Sequence, residues 1–145
     1  TFIQGSQAQR ESSVRIKLNA ISSTVKGKRV VLVDDSIVRG TTSRRIVTML
    51  KEAGATEVHV RIASPQMTHP CFYGVDTSTR DELISARKDL EGVREEICAD
   101  SLAFLTPGAL LKAGNRKELC MACFTGNYPT SLYGTIEEAN KKEKC

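Results

Sequence analysis

Two adjacent acids, Asp34 and Asp35, follow a short apolar run and are the side chains in this sequence best suited to chemistry. Neighbouring carboxylates disfavour joint ionisation unless something compensates their charge. The vicinal hydroxyls of a sugar could do so by hydrogen bonding, and so could a hard cation such as Mg²⁺, which prefers carboxylate oxygen. A lone Asp-Asp pair more often ends a strand and caps a turn, so the choice depends on the residues that come next.

The residues after the acids are typical of a phosphate site. Small hydroxylated residues and Gly40 lead into a helix, whose N-terminus attracts anions through its free N–H groups and partial positive charge. Gly40 permits a backbone turn that a β-carbon would hinder. No Gly-Lys-Ser/Thr follows the strand, which excludes a Walker loop. Acids and loop together predict a ligand with a ribose diol and a 5′-phosphate. The hydroxyl donors are Ser36, Thr41, Thr42 and Ser43.

The segments around this loop predict a parallel α/β sheet. Residues 29–33 form an apolar run typical of a strand buried on both faces. Residues 43–53 have helical spacing with Gly54 in a C-cap position, and residues 58–63 have the pattern of a second strand. These segments form a βαβ unit over residues 29–64, with a right-handed crossover. Farther along, the sequence predicts helices at residues 81–86 and 90–97, a strand at 102–105, a helix at 107–113, irregular structure from 115 onward and a fraying tail at 135–144.

Length and composition indicate one globular domain and disfavour two classes of partner. A chain of 145 residues can bury a core but is short for two domains. No apolar run approaches the roughly 20 residues that span a bilayer, and no signal pattern opens the chain. The net charge of +4 and the aromatic content of 5% are both lower than is typical of a general nucleic-acid-binding protein. We expect a soluble, cytoplasmic domain that binds a small polyanion, and neither nucleic acid nor membrane. The missing initiator Met and the apolar opening at residues 1–3 predict a piece of a larger protein.

Residues 33–42 resemble the phosphoribosyl pyrophosphate (PRPP) motif of type I phosphoribosyltransferases. In the form Val-Asp-Asp-Ser-Ile-Val-Arg-Gly-Thr-Thr, the motif is similar to that of the amidophosphoribosyltransferase family. The resemblance covers about residues 1–130 of the chain. The flanking segments that agree with the family are residues 1–4, 17–19, 70–76, 99–102 and 120–129.

The resemblance implies a fold and an activity. The fold is a type I phosphoribosyltransferase-like parallel sheet with flanking helices, of which residues 1–114 are the C-terminal part, followed by a cysteine-bearing segment at 115–145. The family transfers glutamine-derived ammonia to C1 of PRPP, giving 5-phosphoribosylamine and pyrophosphate in the first step of purine synthesis. By this resemblance, Asp34 and Asp35 contact the ribose hydroxyls and Mg²⁺. The residues implied in binding the 5′-phosphate are Ser36, Ile37, Val38, Arg39, Gly40, Thr41 and Thr42.

The resemblance also assigns roles near the N-terminus. Residues 1–28 match a flexible loop that closes over PRPP and excludes water. Lys17 is a candidate pyrophosphate contact, with a solvated loop cation as the plain alternative. Ile3 is a candidate for the wall of an ammonia channel, or an ordinary apolar strand residue. The family's glutaminase domain and the first strands of its transferase domain are absent from this sequence. We therefore expect the chain to be inactive alone and to act within a homo-oligomeric parent enzyme.

Two other classes of function stay open at this point. The first is a module that binds PRPP or a nucleotide for regulation without catalysis. The second is a metal-stabilised structural domain in which the loop over residues 36–42 is vestigial. The enzyme and the module differ in whether the parent forms phosphoribosylamine from ammonia. The structural domain differs from both in tolerating Asp35→Asn.

The five cysteines are an odd number in a chain without secretory context, which favours metal ligation or free thiols over disulfides. Cys120 and Cys123 form a Cys-x-x-Cys that zinc, an iron–sulfur cluster, a redox pair or accident could explain. We expect no helix to begin at Cys120, which disfavours a thioredoxin-type pair. One branch of the resembled family holds a structural 4Fe–4S cluster, and the resemblance makes Cys71, Cys120 and Cys123 three of its ligands. The family's fourth ligand lies upstream of Thr1.

The remaining potential ligands have weaker assignments. Zinc is the alternative metal, with His69 as an additional ligand. Cys98 stands where the family usually has Gly, and we interpret it as a residue that packs a helix. Cys145 lies in the charged tail and is interpreted as incidental.

Overall fold

The computed structural model describes residues 19–77, 79–116 and 119–130. In this part of the chain, three parallel strands form one sheet in the order β1-β2-β3. The strands are β1 (Arg29–Asp34), β2 (Glu57–Ile62) and β3 (Ser101–Phe104). The helices are α1 (Ser22–Val25), α2 (Thr41–Glu52), α3 (Ile84–Arg87), α4 (Leu90–Glu96), α5 (Pro107–Ala113) and α6 (Ala122–Thr125), with a 3-10 turn at Arg80–Glu82. The predicted parallel α/β fold is confirmed.

The predicted βαβ arrangement is formed by β1, α2 and β2. The two strands pair in parallel, with Arg29 opposite Glu57 and Asp34 opposite Ile62. Helix α2 ends just before Gly54, whose φ of +98° is a left-handed conformation that glycine adopts without strain. The carbonyl of Gly54 accepts a hydrogen bond from the N–H of Gly27 at 2.8 Å. The end of α2 is thus tied to the turn that enters β1.

The hydrophobic core lies on one face of the sheet. Alternate residues of β2 point into this core and are almost fully buried. Helices α2 and α4 cover them. Each fully buried aliphatic side chain of this kind contributes roughly 1.5–3 kcal/mol to stability. The buried members of the core are Ile37, Val47, Val58, Val60, Ile62, Ile84, Val93, Ile97, Ala99 and Leu102.

The opposite face of the sheet is open within the described residues. Val31 and Val33 on β1 are 62% and 69% exposed, and no described element covers them. The prediction that β1 is buried on both faces is therefore wrong for this part of the chain. Its physical reason is the strand order, because successive right-handed crossovers that advance in one direction place their helices on the same face.

A line of polar contacts crosses this open face. The Nε of Arg29 donates to Glu57 at 2.6 Å, and the same carboxylate meets Nε2 of His59 at 2.8 Å. These hydrogen bonds, from Arg29 first and then His59, lower the pKa of Glu57. The Oγ of Ser101 on β3 meets Nδ1 of His59 at 2.8 Å and accepts from Arg61 at 3.0 Å. The three strands are thus linked by side chains as well as by the backbone.

Three local predictions differ from the structure. The helix expected at residues 81–86 is a 3-10 turn followed by α3, because Leu83 between them is extended. The irregular segment after residue 115 contains α6, which begins at Ala122, two residues after Cys120. Cys98 is exposed with a φ of +59° and does not pack a helix. A left-handed backbone at that position explains why Gly fits it better than Cys.

The remaining local predictions agree with the structure or lie outside its described part. Helix α5 has the predicted bounds, since Pro107 occupies its first turn and Thr106 caps it by accepting from the N–H of Ala109. Lys17, Ile3, Cys145 and the tail at 135–144 lie outside the described residues, as does most of the predicted loop over 1–28. Among the residues described, no helix has the length and apolar character needed to cross a membrane.

Candidate functional site

The acidic pair lies where β1 ends, at the carboxyl edge of the sheet. Asp34 is the last residue of the strand and is half-buried, whereas Asp35 is exposed. The Oδ1 of Asp34 accepts from the N–H of Asp35 at 3.0 Å, and the Oδ1 of Asp35 accepts from the Oγ of Ser36 at 3.2 Å. The carbonyl of Asp34 accepts from the N–H of Ala63, just beyond β2, at 2.9 Å. This edge is where open parallel sheets bind their ligands.

The environment of Asp34 disfavours its ionised form. Burial raises the pKa of this carboxyl, and the neighbouring charge of Asp35 acts in the same direction. The hydrogen bond from the N–H of Asp35 opposes both. A cation or a set of hydroxyl donors next to Asp34 would therefore relieve an unfavourable charge.

The loop between the acids and α2 is supported from inside the protein. Ile37 is 2% exposed and belongs to the hydrophobic core, so it anchors the middle of the loop. The carbonyl of Val38 accepts from the N–H of Ile84 at 2.9 Å. Gly40 has a φ of +81°, and a β-carbon there would lie 2.7 Å from Cδ1 of Ile84. Only glycine combines this backbone conformation with this close approach.

The loop ends at the N-terminus of α2, which can receive an anion. No described side chain caps this helix, whose N-cap is Gly40. The N–H groups of its first turn, from Thr41 to Ser43, have no acceptor within the helix. Ser43 is 4% exposed, while Thr41 and Thr42 are partly exposed at the surface of the site. Backbone N–H groups, two accessible hydroxyls and the positive end of the helix dipole thus converge here.

The guanidinium of Arg39 is already paired with a carboxylate. Its Nη2 donates to Oε2 of Glu82, the last residue of the 3-10 turn, and the two side chains are 34% and 39% exposed. Arg39 is therefore not a free cation of the loop, although the family resemblance implies that it binds the 5′-phosphate. Sequence reasoning missed Glu82 and Ile84, because no local pattern connects residues so far along the chain with residues 38–40.

The cysteines are brought together from two distant segments. The carbonyl of Cys123 accepts from the N–H groups of Thr68 and His69 at 3.0 and 3.1 Å, which joins α6 to the chain just before Cys71. Burial raises the pKa of the Cys123 thiol, and the nearby thiols of Cys71 and Cys120 act in the same direction. Cys71 and Cys123 are half-buried, whereas Cys120 is exposed.

These thiols do not form a ready metal site. Within residues 19–77, 79–116 and 119–130, no three His, Cys, Asp or Glu side chains form a group that could hold a metal ion. Cys71 and Cys120 lie near enough to Cys123 to disfavour its thiolate, yet the three described thiols do not converge closely enough to share one metal ion. His69, the additional zinc ligand considered above, packs against Gly126, where a β-carbon would lie 2.7 Å from its Nε2.

Comparison with known proteins agrees with this description. The family model for the phosphoribosyl transferase domain matches residues 2–68. The amidophosphoribosyltransferase of Bacillus subtilis is 63% identical over 139 residues, covering 92% of this chain and 29% of the relative. That of Synechococcus elongatus is 52% identical over 141 residues, covering 96% of this chain and 29% of the relative. That of Methanocaldococcus jannaschii is 54% identical over 132 residues, covering 91% of this chain and 28% of the relative.

Solved structures give the same result. The glutamine PRPP amidotransferase from B. subtilis, complexed with ADP and GMP, superimposes with a TM-score of 0.77 at 62% identity, over 91% of this chain and 30% of that one. A structure described as the allosteric regulatory enzyme of purine biosynthesis also superimposes with a TM-score of 0.77 at 62% identity, over 92% of this chain and 30% of that one. The chain thus spans less than a third of the length of these relatives.

Proposed function

We propose, from the premise that this chain belongs to the amidophosphoribosyltransferase family, that its loop binds the ribose 5-phosphate part of PRPP in a longer enzyme. The observation that carries the proposal is the convergence, at one edge of the sheet, of Asp34, Asp35 and the uncapped N-terminus of α2. The carboxylates can accept hydrogen bonds from the sugar hydroxyls, and the N–H groups can donate hydrogen bonds to the phosphate. A sugar phosphate can therefore bind both groups at once.

The phosphate-binding residues contribute in different ways. Ile37 has its side chain in the core, so it can offer only backbone atoms. Val38 and Gly40 likewise supply the shape of the loop and its N–H groups. Thr41 and Thr42 are partly exposed and can add hydroxyl donors, as can Ser36 once its hydrogen bond to Asp35 is exchanged for one to the ligand.

Mg²⁺ fits the acidic pair. Asp34 and Asp35 supply the hard carboxylate oxygen that Mg²⁺ selects, and a cation there would relieve the charge that burial makes unfavourable at Asp34. A Mg²⁺ ion held by Asp34 and Asp35 would neutralise charge on the pyrophosphate leaving group. The two carboxylates would also stabilise the positive charge that develops on the sugar as pyrophosphate departs.

The full-length protein, in this proposal, transfers glutamine-derived ammonia to C1 of PRPP and releases pyrophosphate. It is cytoplasmic and homo-oligomeric, and its glutaminase domain supplies the ammonia. The present chain contributes the C-terminal part of the transferase domain over residues 1–114. Lys17 contacts the pyrophosphate from the loop over 1–28, and Ile3 lines the ammonia path. The chain alone is inactive.

An assay of the full-length protein tests the activity. With ammonia, PRPP and Mg²⁺, we expect formation of phosphoribosylamine, and Asp35→Asn should reduce kcat/KM for PRPP by about a hundredfold, since it removes charge at the reacting sugar. Glu52→Gln is the matched control, because this exposed carboxylate ends α2 at the side away from the loop. PRPP binding without product in the wild-type protein would favour the alternative, a non-catalytic PRPP- or nucleotide-binding regulatory module.

A 4Fe–4S cluster is the second part of the proposal. Cys71 and Cys120 both lie near Cys123, and soft thiolates suit iron–sulfur clusters or zinc. A bound cluster would compensate the thiolate charge that burial disfavours at Cys123, and it would hold α6 against residues 68–71. The fourth ligand would come from outside this sequence. The donor chemistry fits, although the described side chains form no three-membered ligand group.

Metal analysis of the purified full-length protein tests this part. We expect iron and labile sulfide in equal amounts with a brown visible spectrum, both lost in Cys123→Ser. Cys98→Ser is the control, because Cys98 is exposed and outside the group. A colourless protein that contains zinc would contradict the cluster.

A further inference from the structure

The segment from Arg80 to Ile84 supports the underside of the loop through three separate contacts. Glu82 accepts from the guanidinium of Arg39. The N–H of Ile84 donates to the carbonyl of Val38 at 2.9 Å. The side chain of Ile84, 1% exposed, lies where a β-carbon on Gly40 would have to fit. Three consecutive loop residues are thus held by one short segment.

The ion pair is the only one of these contacts that also decides the electrostatics of the loop. Arg39 is the only basic residue between Asp34 and Ser43. With Glu82 in place, the pair is neutral, and the anion-binding character of the loop comes from its N–H groups and the dipole of α2. Without Glu82, Arg39 would carry an uncompensated, two-thirds buried charge, and its side chain would no longer be held against the 3-10 turn.

We propose that Glu82 is a positioning residue for the phosphate loop and that Arg39 braces the loop instead of contacting the phosphate. This inference rests on the proposed function of the loop. Glu82 fixes the side chain of Arg39, and Ile84 at the start of α3 contacts Val38 and Gly40. A loop fixed in its binding conformation loses less conformational entropy when the ligand arrives. The brace therefore strengthens PRPP binding without touching PRPP.

A charge reversal separates this role from direct phosphate binding. In the full-length protein assayed with ammonia, Glu82→Ala and Arg39→Glu should each raise KM for PRPP by about tenfold, with a smaller change in kcat, because pre-organisation acts on binding. The double variant Arg39→Glu/Glu82→Arg restores the pair with reversed polarity. It should return KM to within about threefold of wild type, as coupled residues do in double-mutant cycles. If Arg39 bound the phosphate itself, the double variant would be as weak as Arg39→Glu alone, and the proposal would be overturned.

Two further variants serve as an intermediate case and as a control. Glu82→Gln preserves the size of the side chain and a hydrogen-bond acceptor, so it should fall between wild type and Glu82→Ala. Glu57→Ala is the matched control: this carboxylate is similarly exposed, at 42%, and is also paired with an arginine, but at the amino end of β2. Its KM for PRPP should not change.

Hydrogen exchange measures the brace without any ligand. In the free protein, Glu82→Ala should speed amide exchange at residues 36–42 while residues 57–62 of β2 remain protected, and the double variant should restore the protection. Unchanged exchange at 36–42 in Glu82→Ala would overturn the proposal. A wild-type protein that does not respond to PRPP would instead refute the proposed function, and the exchange result would still decide whether Glu82 holds the loop.

Discussion

The phosphate loop (residues 34–42) and the cysteine segment (residues 68–71 with 120–126) both contain a tightly packed glycine. They differ in whether the groups proposed to bind a ligand come together. Each contains a glycine with positive φ pressed against a side chain, Gly40 against Ile84 and Gly126 against His69, with a would-be β-carbon at 2.7 Å in both cases. The loop's N–H groups, acids and brace all lie within this chain. The thiols come from two distant segments and form no three-membered ligand group among the described residues.

The difference follows from what each site is made of. A site built from backbone N–H groups at a βα junction exists as soon as the strand and the helix have formed. A site built from thiols is assembled largely by the metal it binds, because metal affinity and local folding are coupled. The two regions should therefore respond separately to mutation.

The largest effect should come from exchanging the two glycines one at a time. In Gly40→Ala the added methyl group is strained by the left-handed φ and lies too close to Cδ1 of Ile84, so either Ile84 or the loop must move. A displacement of the loop by about 1 Å can weaken a site by orders of magnitude. We expect the Kd for PRPP to rise by about tenfold or more. Gly126→Ala should disturb the cysteine segment and leave this Kd unchanged. Equal losses of PRPP affinity in the two variants would contradict the separation.

Gly27→Ala is the control for this pair. Gly27 has a φ of +73° but nothing within 4 Å of a would-be β-carbon. It isolates the cost of the left-handed backbone, roughly 1–2 kcal/mol in the free energy of unfolding. Gly40→Ala should exceed that loss in denaturant titrations, and Gly27→Ala should not affect PRPP binding.

The next effect should come from Asp100, which joins the start of β3 to the start of β2 and lies in neither region. Its Oδ2 accepts from the N–H of Val58 at 2.7 Å and pairs with Lys51 at 3.2 Å. Asp100→Ala should lower the free energy of unfolding by about 1–2 kcal/mol, mainly through the lost hydrogen bond to Val58. The exposed ion pair adds little. Asp100→Asn, which keeps an acceptor, should lose less.

The pH dependence of the Asp100 effect has a defined sign. The hydrogen bond from Val58 and the Lys51 ammonium lower the pKa of Asp100 in the fold. A carboxyl with a lowered pKa stabilises the protein above its unfolded pKa of about 3.9, and this stability is lost as the pH falls through the folded pKa. The difference between wild type and Asp100→Ala should therefore be full at pH 7 and shrink in acid. A difference that grew in acid would contradict this assignment.

A smaller and opposite effect is expected at Asp34. Burial and the charge of Asp35 raise the pKa of Asp34, so its ionised form weakens the ligand-free fold. Asp34→Asn should therefore stabilise the ligand-free protein at pH 7 and weaken PRPP binding at the same time. The stabilisation should vanish as the pH falls below the unfolded pKa of about 3.9, where the wild-type carboxyl is protonated in both states. Thermal melts with and without PRPP measure both effects.

The smallest effect should come from Cys98, which belongs to neither region. Its φ of +59° strains a cysteine but not a glycine. Cys98→Gly should raise the free energy of unfolding by about 1 kcal/mol. Cys98→Ala keeps the strain and should show no gain. Neither variant should change PRPP affinity or metal content.

The sequence predicts structural features formed by neighbouring residues, but not contacts between residues far apart in the chain. The loop over residues 34–42 is predictable because its acids, glycine and helix lie in one stretch of chain, and α5 because Thr106 and Pro107 mark its start. The pairing of Arg39 with Glu82 spans 43 residues, so no spacing reveals it. The exposure of one face of β1 is equally hard to predict from the sequence, since a wholly apolar strand has the same residue pattern whether one face or both are covered.

Calorimetric titration of the full-length protein with PRPP and Mg²⁺ tests the central claim most directly. The wild-type protein should bind PRPP in a Mg²⁺-dependent manner, Glu52→Gln should match it, and Asp35→Asn should lose about tenfold or more in affinity, which corresponds to about 1.4 kcal/mol or more. An Asp35→Asn variant that bound PRPP as tightly as wild type would contradict the assignment of this loop.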